Sequence, residues 1–126
     1  MSKKIISTSN APAAIGPYSQ AILAGDTLYC SGQIALDPST GNLVMDNIAA
    51  ETEQVMTNVG EVLKAADMDF SNVVKCSIFM SSMDHYAAIN EVYAKFFSAN
   101  PPAREAVAVK TLPKEVNVEI TVIAVR

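Results

Sequence analysis

Between residues 47 and 66 the apolar residues recur at helical spacing. Ile48, Val55, Met56, Val59, Val62, Leu63 and Ala66 fall on one face, with Glu51, Glu53, Glu61 and Lys64 mostly elsewhere. Asp46 or Asn47 supplies the N-cap. The runs on either side have a different character. Thr27–Ile34 (TLYCSGQI) and Val73–Met80 (VVKCSIFM) are rich in β-branched, aromatic and other strand-favouring residues. A second helix is expected over about 84–97, with Tyr86, Ile89, Tyr93, Phe96 and Phe97 on its apolar face. Ser82 or Asp84 caps it, and Pro101-Pro102 lies past its end. Two closing strands, about 105–111 and 116–125, meet at Leu112-Pro113-Lys114. The order strands, helix, strand, helix, strands confines the chain to the α+β class, with both helices packed on one face of a sheet.

The other face of that sheet needs a cover. In the last strand Val116, Val118, Ile120, Val122 and Ala124 are all apolar, while the alternate positions run Asn117, Glu119, Thr121, Ile123, Val125. A face that begins polar and ends apolar is poorly suited to open water. Either a sister subunit buries it, or Ile123 and Val125 touch a loop. Residues 1–20 read as an irregular arm with one short strand. The cluster Asp37-Pro38-Ser39-Thr40-Gly41 reads as the turn of a hairpin. No repeat, low-complexity tract or linker interrupts residues 1–126, which are taken as a single domain.

Charge and motif content exclude several functions. Nine Lys and Arg stand against thirteen acids, a net charge of −4, so nothing offers a basic footprint to nucleic acid or anionic lipid. No apolar run approaches the ~20 residues that cross a bilayer, and the start lacks a signal-peptide core. Two cysteines, Cys30 and Cys76, in apolar strand-like runs fit a reduced, soluble, cytoplasmic protein better than a disulfide scaffold. The single histidine, His85, reads as a solvated surface residue. No grouping has metal-ligand spacing, and no phosphate loop, dinucleotide fingerprint or nucleophile elbow is present. Neither metal nor cofactor is expected.

Two residues remain as carriers of chemistry. Arg104 follows Pro101-Pro102-Ala103 on a conformationally restricted approach, and its guanidinium is a flat fork that matches a carboxylate. It either grips a ligand or pairs with its neighbour Glu105. Glu119 lies between Val118 and Ile120 in a strand that otherwise looks buried. A carboxylate there must be paired or have its pKa raised; acid/base chemistry and a structural ion pair both produce that pattern.

The segments Ile15-Gly16-Pro17-Tyr18-Ser19-Gln20, Ser31-Gly32-Gln33-Ile34, Ile89-Asn90-Glu91-Val92-Tyr93, Pro102-Ala103-Arg104 and Leu112–Ile120 (LPKEVNVEI), followed by Val122-Ile123-Ala124-Val125, occur in this order. Together they resemble the Rid family, the reactive intermediate deaminases, from about residue 10 to the C-terminus. The resemblance implies a chorismate-mutase-like (ferredoxin-like) subunit in a homotrimer with sites between subunits. It also implies hydrolysis of 2-imino acids or their enamine tautomers, such as 2-iminobutanoate and 2-iminopropanoate, to 2-oxo acids and ammonia. On that resemblance Arg104 holds the substrate carboxylate and Glu119 positions or deprotonates the attacking water. Tyr18, Ser31, Gly32 and Asn90 line the pocket. A protonated imine is already electrophilic, so orientation and one proton-handling group suffice.

Two positions depart from the family pattern: Glu105 where a small residue is usual, and Ala106 where cysteine is common. An extended backbone would turn Glu105 away from Arg104, whereas a bend would let the two pair. The alternative reading is a non-catalytic regulatory protein that binds 2-oxo acids, which Arg104 would serve equally and which Glu119 distinguishes. A third, RNA cleavage, draws no support from the charge balance.

Overall fold

The computed structural model describes residues 2–126. Its strands are β1 (Lys3–Ile6), β2 (Ala21–Ala24), β3 (Thr27–Cys30), β4 (Val73–Met80), β5 (Ala103–Ala108) and β6 (Val118–Val125); its helices are α1 (Ile48–Ala65) and α2 (Tyr86–Ala94). The strands form one sheet in the order β1-β2-β3-β6-β4-β5, antiparallel throughout except for the β4–β5 pair. The parallel pair follows from α2, which carries the chain back across the sheet before β5 begins. The mixed α+β architecture expected from the sequence is therefore observed. The two closing strands are not neighbours: β6 runs down the centre, between β3 and β4, while β5 takes the edge.

One face of β6 fits the expected alternation. Val118, Ile120, Val122 and Ala124 are buried, and with Cys76, Ile78 and Met80 of β4 they meet Val55, Met56, Val59, Val62 and Leu63 of α1 and Ile89 and Tyr93 of α2. Asn47 is the N-cap of α1, its side chain accepting from Ala50 N. One charge expected toward solvent is instead inside. Glu51 is 0% exposed, and its carboxylate accepts from Asn117 N (2.8 Å), Asn117 Nδ2 (2.9 Å) and Val118 N (3.3 Å). Helical periodicity registers only the position of a residue around the axis. Backbone donors at the start of β6 make the inward position tenable for a charge.

Several boundaries differ from expectation for physical reasons. The strand expected at about 105–111 is β5, Ala103–Ala108, because its pairing follows β4 from Lys75 to Met80, where β4 ends. The second helix ends at Ala94, because Lys95, Phe96 and Phe97 donate to carbonyls three residues back, which tightens the chain. That turn swings Phe96 and Phe97 against Phe70, with ring centroids 5.1 and 5.5 Å away. Ser82 caps a short 3-10 turn, Met83–His85, that precedes α2. The run 27–34 is not one strand. Tyr29 pairs with Ile123 but Gln33 pairs with Ile120, so four residues on one side span three on the other. One extra residue is bulged out across Cys30–Gly32. Finally, residues 116 and 117 precede β6, because the chain enters it through a turn with Lys114 and Glu115 in left-handed conformations (φ 55° and 56°). The hairpin at Asp37–Gly41 is present in minimal form, as a single Leu36–Leu43 bridge closed by Asp37 N donating to Asn42 O. Among the described residues no helix is long and apolar enough to cross a membrane.

Candidate active site

Two clusters contain all of the residues singled out in the sequence, and they lie on opposite faces of the sheet. Arg104 pairs in register with Cys76, whose side chain is in the helix-facing core, so Arg104 also points toward the helices. There Nη1 donates to Asn90 Oδ1 and Nη2 donates to Tyr86 Oη, both at 2.8 Å. The guanidinium carbon lies 4.9 Å from the ring centre of Tyr93 and 5.7 Å from that of Tyr86. Arg104 opens onto a cavity of about 390 Å³ walled by Tyr93, Ala94, Phe97, Pro101 and Pro102.

The pairing of Arg104 with Glu105 does not occur. Strand β5 is extended, which sends Glu105 to the other face. There Lys75 Nζ lies 2.7 Å from Glu105 Oε1, and Ser77 Oγ donates to Oε2. These contacts hold the Glu105 carboxyl below its usual range, Lys75 being the larger cause. Arg104 thus rests on neutral acceptors and aromatic rings, and no carboxylate neutralises it among the described residues.

The second cluster forms around Glu119. The carboxylate sits over Gly32: a Cβ at that glycine would come within 2.0 Å of Glu119 Oε2. Only a residue without a side chain leaves this space. The bulge at Cys30–Gly32 delivers Gly32 there, while Ser31 N and Oγ donate to Gln20 O and Ser19 O (2.9 and 2.6 Å). A cavity of about 440 Å³ lies between Glu119, Ser31, Gly32, Tyr18, Ile15 and Lys114. Tyr18 and Ile15 stand 52% and 82% exposed at its mouth. No hydrogen bond to the Glu119 carboxylate forms among the described residues, and burial pushes its pKa up. Of the two states open to a carboxylate in this strand, paired or raised in pKa, the second holds.

The clusters cannot close on one small molecule within a single subunit. The Cα positions of Arg104 and Glu119 lie three residues apart along the strands and two strands apart across them, about 14 Å by ordinary spacings. Their side chains then point in opposite directions.

Sequence reasoning missed three contributors. Tyr86 and Tyr93 read as core residues of a helical face, yet with Asn90 they form an i, i+4, i+7 stripe centred on Arg104; the polar tips along that stripe were the available signal. Gln20 read as part of a motif only. Its buried amide accepts from Thr8 N and donates to Thr8 O and Pro12 O, tying down the arm that carries Tyr18. Asn90, expected to line the pocket, does border the Arg104 cavity but also holds the arginine. Both cysteines are free, and burial raises their thiol pKa values, Cys30 to about 12. His85, expected at the solvated surface, is instead half-buried at the end of the 3-10 turn that leads into α2. No group of metal-ligating side chains occurs among the described residues.

Known proteins resemble this chain over nearly its whole length. The endoribonuclease L-PSP family profile matches residues 8–126. A 2-iminobutanoate/2-iminopropanoate deaminase from Bos taurus is 50% identical over 124 residues, 98% of this chain and 90% of that protein. A crystal structure of a Rid-family protein of unknown function from Yersinia pestis superposes with TM-score 0.97 at 44% identity, covering 99% of this chain and 100% of the other. TdcF of E. coli, solved with bound serine, superposes with TM-score 0.94 at 39% identity, covering 98% of each chain.

Proposed function

The chain belongs to the Rid family, the endoribonuclease L-PSP family of the matching profile, and from that premise we propose that this imine deaminase hydrolyses 2-iminobutanoate and 2-iminopropanoate, or their enamine tautomers, in the cytoplasm. The observation that carries the reading is the presence in one chain of both an unneutralised arginine and an unpaired, half-buried glutamate whose pKa is raised. One binds an anion and the other handles a proton.

The reaction follows from these groups. The free N–H groups of Arg104 take the substrate carboxylate as a bidentate pair. Glu119, ionised, accepts a proton as water adds to C2 of the protonated imine, and a C–O bond forms while the C=N π pair moves to nitrogen. The proton then passes to that nitrogen, the C–N bond breaks as the hydroxyl gives its proton to Glu119 and becomes the carbonyl, and ammonia leaves a 2-oxo acid, taking that proton from Glu119 as ammonium. A raised pKa keeps the glutamate a competent proton carrier in both directions. Neither a metal nor an organic cofactor is required by this sequence of steps.

The separation of Arg104 from Glu119 supports a site shared between copies, in which one subunit supplies Arg104 with Asn90 and its neighbour supplies Glu119, Gly32, Ser31 and Tyr18. The helix-free face of the sheet fits a covering subunit. Tyr29 and Val107 are exposed on it, and Phe79, Ile123 and Val125 are half-exposed. The homotrimer and the chorismate-mutase-like assembly belong to this proposal. Light scattering should return three times the 13.4 kDa chain mass, and a 13 kDa species in solution would remove the shared site.

The catalytic test generates 2-iminobutanoate with a threonine dehydratase in the presence of semicarbazide. Micromolar protein should lower the fraction of imine trapped. An unchanged trapped fraction, with 2-oxobutanoate still bound, would instead identify a binding protein.

A further inference from the structure

We propose that Tyr86 is a positioning residue that fixes the arginine fork before a ligand arrives, an inference resting on the reading of Arg104 as the carboxylate binder. Arg104 carries five N–H donors on a long side chain that loses much rotamer freedom when it is held. Two of those donors are already committed. Nη1 gives one hydrogen to Asn90 and Nη2 gives one to Tyr86, at equal distances of 2.8 Å. Because the two contacts engage different terminal nitrogens, they set the rotation of the guanidinium plane as well as its location. The Tyr93 ring, 4.9 Å from the guanidinium carbon, closes the third direction.

What remains is one N–H on each terminal nitrogen and the N–H of Nε. Both restraining acceptors are neutral, so the charge is held in place without being cancelled. A carboxylate partner would have held the fork as firmly and competed with the ligand. Tyr86 does not border the cavity onto which Arg104 opens, so its hydroxyl acts through the arginine and not on the substrate.

All three restraints come from one helix, α2, whose first residue is Tyr86. The 3-10 turn Met83–His85, begun by the Ser82 cap, sets where that helix starts and hence where the Tyr86 hydroxyl lies. The ring of Tyr86 also lies near the guanidinium, 5.7 Å from centroid to carbon. Tyr86→Phe therefore keeps the ring and removes only the hydrogen-bond acceptor.

The experiment measures 2-oxobutanoate binding by calorimetry and 2-iminobutanoate hydrolysis for the unmodified protein, Tyr86→Phe, Arg104→Lys and the double variant. Losing the restraint means ordering the arginine at the moment of binding, so Tyr86→Phe should raise Kd and KM roughly 2- to 12-fold. The turnover number should stay within about twofold, since the fork binds substrate and transition state alike. In the Arg104→Lys background the same change should have no further effect. An equal loss in both backgrounds, or an unchanged Kd with a lowered melting temperature, would overturn the positioning role alone. If Arg104→Lys binds as tightly as the unmodified protein, the carboxylate-binder reading fails and this inference with it.

Discussion

Two carboxylates approach the start of β6 from opposite sides, and the molecule treats them in contrasting ways. Glu51, on the helix side, is sealed from solvent and accepts three hydrogen bonds from Asn117 and Val118. Glu119, on the other side and two residues along, has no donor among the described residues and faces a cavity. A fully satisfied buried charge has nothing left to offer a reactant and much to lose if removed. A half-buried unsatisfied one weakens the fold slightly and is free to take a proton from water. Burial alone does not single out a candidate proton carrier; unfilled hydrogen-bonding capacity does.

The sharpest way to break that contrast is to neutralise Glu119. Glu119→Gln preserves shape and removes the proton acceptor, so the turnover number for imine hydrolysis should fall about 10²- to 10⁴-fold, the usual worth of a positioned base. Binding of 2-oxobutanoate should change far less, because the proposed function gives that contact to Arg104. Retained turnover would place Glu119 among the structural charges and return the chain to the binding-protein reading.

The complementary change addresses Glu51. Glu51→Ala strands two buried backbone N–H groups and leaves a cavity, which should cost about 3 kcal/mol or more in stability by denaturant titration. Whatever fraction remains folded should hydrolyse imine at an undiminished rate per folded molecule. An activity loss exceeding the loss of folded protein would show that the two carboxylates work together and are not separate in role.

How much of this was legible beforehand depends on the distance over which each feature is decided. The α1 stripe and the Val118–Ala124 alternation are local patterns, and both appear as the sequence implies. The same alternation already placed Glu119 on the face opposite the buried residues. Arg104 was legible as a residue but not as a direction. Its face depends on the register of β5 against β4, which no local pattern encodes. The inward turn of Glu51 depends on donors 66 and 67 residues away. The break in 27–34 depends on β6 pairing one residue out of step. Glu105, the departure that most threatened the arginine, is diverted by the simplest geometry in the chain, since consecutive residues of an extended strand face opposite ways.

The subtlest expression of the contrast is in the pH dependence of stability. Burial raises the Glu119 pKa above its ordinary 4.5, so the folded state disfavours the charged form. The sign then runs against the usual carboxylate. The protonated group is tolerated below about 4.5, and stability is lost as pH rises through the raised value. Glu105, held low by Lys75 and Ser77, changes in the opposite sense and is common to both proteins compared. The melting temperature of Glu119→Gln minus that of the unmodified protein should therefore be near zero at pH 4 and become positive toward pH 7. A difference that turns negative with rising pH would mean the ionised carboxylate has a stabilising partner, and Glu119 would then resemble Glu51 after all.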